Sequence, residues 1–109
     1  MTLHHLQTST ELEEFLNKDT FILLKHSTTC PISSAAYEEF KTFAESNPLI
    51  PAAYLIVQED SSLSTEIVET FHVKHESPQV ILFKNGNVAF HASHWKITVG
   101  LLTEAINEQ

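Results

Sequence analysis

The sequence predicts an α/β fold, a mixed four-stranded sheet covered by helices on both faces. Three observations predict it. Short apolar runs alternate with amphipathic helical segments along the chain. The first two runs, "TFILLKH" and "AAYLIVQ", are continuously apolar, as strands buried on both faces are. The last two runs flank Asn85-Gly86, a dipeptide suited to a two-residue hairpin turn with positive φ at both positions.

The elements follow in order. "TSTELEEFLNKD" (8–19) opens with cap residues, and Thr8 with Glu11 or Thr10 with Glu13 fits a capping box. Leu12, Phe15 and Leu16 then follow helical spacing. The strand at 20–26 comes next. Pro31 suits the first turn of a helix, where its missing N–H costs nothing. Ile32, Ala35, Ala36, Phe40, Phe43 and Ala44 mark one face of that helix, to about residue 45. A second strand covers 52–58. "SLSTEIVETFHV" (62–73) reads as a helix with Leu63, Ile67, Val68 and Phe71 inward. The hairpin spans 77–92. A last helix, 98–109, turns Leu101, Leu102, Ala105 and Ile106 to one side, with Gly100 weakening its first turn. The crossover from 20–26 to 52–58 implies parallel strands, and the hairpin an antiparallel pair.

Composition narrows the function. The 109 residues suit one domain, 1–109. Fourteen acidic residues against six lysines give a net charge of −8. Nucleic acid and anionic membrane surfaces both need a basic patch, so neither is an expected partner. The polar, acidic start does not resemble a signal peptide. No apolar run approaches the ~20 residues of a membrane span. One cysteine allows no internal disulfide, and a reducing, cytoplasmic setting is expected.

That cysteine lies in "HSTTCPIS" (26–33), after the first strand and at a helix start. Open α/β sheets place ligands at the carboxyl ends of their strands. The start of a helix favours an anion, hence the nucleophilic thiolate. A lone cysteine is often only a small buried hydrophobe. Against that stand the polar flank Ser27-Thr28-Thr29, the helix start set by Pro31, and Ser33, whose hydroxyl is expected to point at the sulfur.

"TTCPIS" resembles a thioredoxin-fold active site of the C-x-x-C or C-x-x-S type, and "SPQVILFKNGN" resembles the segment that carries that fold's cis-proline and following hairpin. With "SHWKIT", the chain is similar to the monothiol bacilliredoxins, small bacterial proteins that act on bacillithiol mixed disulfides. The resemblance implies that Cys30 is the nucleophile and that Ser33 stands where dithiol relatives carry a resolving cysteine. It implies that Pro78 is the cis-proline beside the sulfur and that Ser77 offers its backbone to a bound chain. Thr29, Pro31, His94 and Trp95 complete the expected substrate-binding set, with Trp95 either walling a ligand groove or packing in the core. No bound cofactor is expected, and bacillithiol serves as thiol co-substrate. Expected partners are S-bacillithiolated client proteins, with free bacillithiol or a dithiol protein for recycling. The rival reading is a non-catalytic thiol sensor or adaptor modified on Cys30.

Departures from relatives are informative. The buried acid of dithiol thioredoxins is replaced by Leu24, and the glutaredoxin lysine by Ser27. A glutathione site is therefore not expected. Seven histidines show no metal-ligand spacing with Cys30. His4-His5 is expected to be a frayed terminus, and His72 and His75 to be solvated. His26 and His94 stand near the site, where an imidazolium would favour the thiolate further, although a solvated surface place is the favoured reading of each. Lys25 and Lys96 are weaker candidates for holding substrate carboxylates.

Overall fold

Strand β2 (Thr20–His26) lies at the centre of the sheet because nearly every residue in it is buried, on both faces. The computed structural model describes residues 3–108. In chain order the other elements are β1 (His4–His5), α1 (Ser9–Leu16), α2 (Pro31–Ser46), β3 (Ala52–Ile56), α3 (Ser61–Phe71), β4 (Gln79–Lys84), β5 (Asn87–Ser93) and α4 (Val99–Glu108). A single 3₁₀ turn, His94–Lys96, joins β5 to α4. Strand order is β1-β3-β2-β4-β5. β2 and β3 run parallel, and β4 pairs antiparallel with both β2 and β5.

Alternation along β2 builds two cores. Ile22 and Leu24 face α2 and α4, meeting Phe40, Phe43 and Leu102. Phe21 and Leu23 face α1 and α3, meeting Leu12, Leu63 and Ile67. Helix α1 starts at Thr8, whose side chain accepts from the Glu11 N–H while the Glu11 carboxylate accepts from the Thr8 N–H, a complete capping box. The hairpin turns at Asn85 (φ 53°) and Gly86 (φ 81°), as the dipeptide requires.

Among the described residues the sheet has five strands rather than the expected four. The extra one is His4–His5, which is not a frayed end: it pairs parallel with Ala53 and Tyr54 of β3. His5 Nε2 lies 2.8 Å from Asp60 Oδ2, and its ring stacks on Tyr54. Two polar residues give no strand signal by themselves, and the edge of β3 supplies it. Helix α3 ends at Phe71, earlier than expected, with His72 in the left-handed region (φ 57°). Gln109, expected at the end of the last helix, lies outside the described residues. Among the described residues no helix is long and apolar enough to cross a membrane.

Candidate functional site

One edge of the sheet collects the predicted residues. His26 at the end of β2 pairs with Ile56 at the end of parallel β3, and Lys25 pairs with Gln79 at the start of antiparallel β4. Gln79 also pairs with Ser93 at the end of β5. The segments leaving these strand ends are Ser27–Cys30, Val57–Gln58, Ser77–Pro78 and His94–Trp95, and the register brings all four to one edge.

The thiol belongs to the first segment. Cys30 is the N-cap of α2, in extended conformation (φ −111°, ψ 124°), with Pro31 at the first helical position. Its carbonyl accepts the Ser34 N–H at 3.2 Å and so opens the helix. Its side chain makes no capping hydrogen bond. The thiol is half-buried, accessible but flanked. An anion there meets the positive end of a 16-residue helix dipole and the N–H groups of its first turn.

Ser33 requires a correction. It is fully buried, and its Oγ accepts the Ser27 N–H at 3.2 Å. Among the described residues no hydrogen bond joins it to the Cys30 sulfur. The hydroxyl braces the loop that carries the thiol, because the turn from β2 into α2 leaves the Ser27 N–H inward-facing and in need of an acceptor.

Gln58, which the sequence reading missed, is the second brace. Its Nε2 donates to Ser27 Oγ at 2.8 Å and to Thr29 Oγ1 at 3.1 Å, while its Oε1 accepts the Thr28 N–H at 3.3 Å. One amide thus ties three consecutive loop residues to the end of β3. Its only signal in the sequence is the polar residue that closes the apolar run 52–58, and the strand itself ends at Ile56. Thr29 is exposed, with its hydroxyl engaged by this amide, and Pro31 is exposed beside it.

The opposing segment carries Pro78, and the Ser77–Pro78 peptide is cis. The His94 N–H donates to the Pro78 carbonyl at 3.0 Å, so the turn before α4 is anchored on this proline. His94 has φ 56°, and its Nδ1 lies 3.6 Å from Glu76 Oε2. The Ser77 backbone has no hydrogen-bond partner among the described residues, which leaves it free to pair with an incoming chain. Trp95 is 70% exposed, so it is no part of the core.

Two further expectations change. His26 packs its ring against Tyr37, and burial pushes its pKa down, an effect only partly offset by the Ser33 backbone. It is thus a neutral neighbour of the loop, not an imidazolium. Lys25 is fully buried beneath the edge and cannot meet a carboxylate at the surface. Lys96 is exposed and lines a groove of about 380 Å³ with Glu76, His91 and Ser93. Leu24, at the position of the missing acid, is sealed in the α2/α4 core. Among the described residues no group of three His, Cys, Asp or Glu side chains could hold a metal ion.

A cysteine capping a helix at the carboxyl edge of a mixed sheet, opposite a cis-proline, defines a thioredoxin-fold thiol redox protein. Comparison with known proteins narrows this. A sequence profile described as monothiol bacilliredoxin BrxC matches residues 3–102, and the chain belongs to that family. It is similar to a solved structure named as a candidate oxidoreductase with a thioredoxin fold. Sequence identity is 36%, TM-score 0.90, with 95% of this chain and 93% of that one covered. Thioredoxin from Trypanosoma brucei brucei shares the fold at 15% identity, TM-score 0.80, with 98% and 89% covered. So does mitochondrial thioredoxin 3 from Saccharomyces cerevisiae in oxidised form, at 16% identity, TM-score 0.79, with 98% and 95% covered.

Proposed function

We propose that the protein removes bacillithiol from S-bacillithiolated proteins by thiol–disulfide exchange at Cys30. The observation that carries this reading is the single accessible thiol at the start of α2, with a buried serine where a second thiol would stand. The Cys30 thiolate attacks the bacillithiol sulfur of a client–S–S–bacillithiol disulfide. The client–bacillithiol S–S bond breaks, a Cys30–bacillithiol disulfide forms, and the client leaves as a thiolate that takes a proton from solvent. The client chain lies along the Ser77 backbone, and Trp95 and His94 flank the groove. Since the chain has one cysteine, the second exchange needs a thiol from outside. The thiolate of free bacillithiol or of a dithiol protein attacks the bacillithiol sulfur and the Cys30–bacillithiol bond breaks. Cys30 leaves as a thiolate, and the bacillithiol departs as its own disulfide or as a mixed disulfide on the dithiol protein. A reducing, cytoplasmic setting suits a thiol that must be recycled in this way.

The same single thiol supports a second reading, a sensor that keeps the adduct and binds a partner differently in consequence. Turnover separates the two. With an S-bacillithiolated client and excess bacillithiol, the enzyme reading expects many client thiols released per Cys30, and the sensor reading expects one. Intact mass after mixing with oxidised bacillithiol should show one adduct on Cys30, and its absence would sink both.

A further inference from the structure

Lys25 is the one lysine among the buried polar residues, and the thiol chemistry makes no use of it. Its Nζ lies 3.3 Å from His75 Nδ1, and Ser64 Oγ is 3.5 Å from the same ring nitrogen. Among the described residues no carboxylate lies within ion-pair distance of it. A buried amine without a counter-charge is costly, and an apolar side chain of similar length would fill the space at less expense. What the amine touches is the segment leading to Pro78. His75 stands three residues before that proline. Gln79, directly after it, is the cross-strand partner of Lys25, and its Nε2 donates back to the Lys74 carbonyl at 3.0 Å. Lys74–Gln79 is thus fastened to one residue of β2 at both ends, with Ser77 and Pro78 between. Five residues further along the same strand and loop stands Cys30.

We propose that Lys25 is a positioning residue, its buried amine holding His75 so that the Ser77–Pro78 segment stays in register with the Cys30 loop. This rests on the exchange reading above and adds a residue to it. The amine meets His75, whose same ring nitrogen faces Ser64 from α3; Gln79 of β4 is the cross-strand neighbour of Lys25, and Glu76 is the next residue of the segment. Burial and, after it, the Lys25 charge push the His75 pKa below 6.5, and Glu76 opposes them by favouring the charged imidazole. Protonation of His75 removes the acceptor that Lys25 uses and sets two cations against each other.

The test compares Lys25→Met and His75→Ala with the wild-type chain in two assays. Alkylation of Cys30 by iodoacetamide reads the thiol alone. Exchange with a peptide–bacillithiol mixed disulfide reads the thiol and the Pro78 segment together. Both variants should lose about five- to tenfold in kcat/KM for exchange, chiefly through KM, with alkylation changed by less than about twofold. In the wild type, exchange relative to alkylation should fall on the acid side as His75 protonates, and in His75→Ala that fall should vanish. His75 is exposed, so its variant carries the test even if Lys25→Met folds poorly. Exchange within about twofold of wild type in the folded variants, or alkylation falling in parallel with exchange, would overturn the positioning role. A wild-type chain that exchanges with nothing removes the proposed function and this role with it. Exchange intact in the wild type and in both variants removes this role alone.

Discussion

Leu24 and Lys25 are neighbours on β2 that face opposite sides of the sheet, and the two sides are built differently. Leu24 looks into the α2/α4 core among Ile22, Phe40, Phe43 and Leu102, with Tyr37 and Tyr54 packed at its margin. Lys25 looks toward α3, where Ser64 and Gln79 are buried among the apolar residues and exposed His75 reaches the amine from the surface. The two arms of the site follow this division. The thiol arm is held by helix α2 on a greasy base, and its polar braces, Ser33 and Gln58, act only on the loop. The proline arm is held from beneath by a polar cluster. Nothing polar stands at Leu24 to move a proton under the thiol, which fits a chain with no second thiol to activate.

The sharpest way to break the comparison is at the thiol. Cys30→Ser should abolish exchange completely and leave far-UV circular dichroism unchanged, since serine is a good N-cap and the position is half-buried. Measurable turnover in that variant would move the chemistry elsewhere. Next in size is the base of the same arm. Phe40→Ala empties a fully buried position against β2 and should cost about 3–5 kcal/mol in urea unfolding. A loss under about 1 kcal/mol would mean that α2 is not seated as described.

Ser33→Ala tests the loop brace. It leaves the buried Ser27 N–H without its acceptor and should cost about 1–3 kcal/mol. Exchange should slow by less than about tenfold, because the hydroxyl acts through the loop and not on the sulfur. A thousandfold loss with stability intact would restore the direct role first expected of it. The smallest effect belongs to the proline arm and concerns pH. Burial pulls the Lys25 pKa from 10.5 to about 8. Between those values the unfolded chain binds the proton and the folded chain has released it, so stability rises with pH across that window. One such group contributes at most about 1.4 kcal/mol per pH unit. Lys25→Met should be the more stable protein at pH 7, and its stability should show a flatter pH dependence between about 8 and 10.5. Parallel curves for the two chains would show that Lys25 stays solvated.

What the sequence determined by itself was local. Thr8 with Glu11 and Thr10 with Glu13 both offer a capping box for α1, of which the structure takes the first, Pro31 starts α2 after a polar loop, and Asn85-Gly86 takes the positive φ of a tight hairpin. Each signal is complete within a few residues, and the order of elements follows from them. Cys30 was legible for the same reason, since its place between strand and helix is a local fact. What only the tertiary structure decided depends on partners far along the chain. His4–His5 became a strand because β3 offered an edge to it. Gln58 became a brace because parallel pairing brought the ends of β2 and β3 together, 31 residues from Ser27. Ser33 faces the Ser27 N–H, not the sulfur, because the turn into α2 left that donor buried. Lys25 reads in the sequence as one more solvating lysine. It is buried because a central strand has no exposed face, and the polar group that meets its amine, His75, arrives from the segment between α3 and β4.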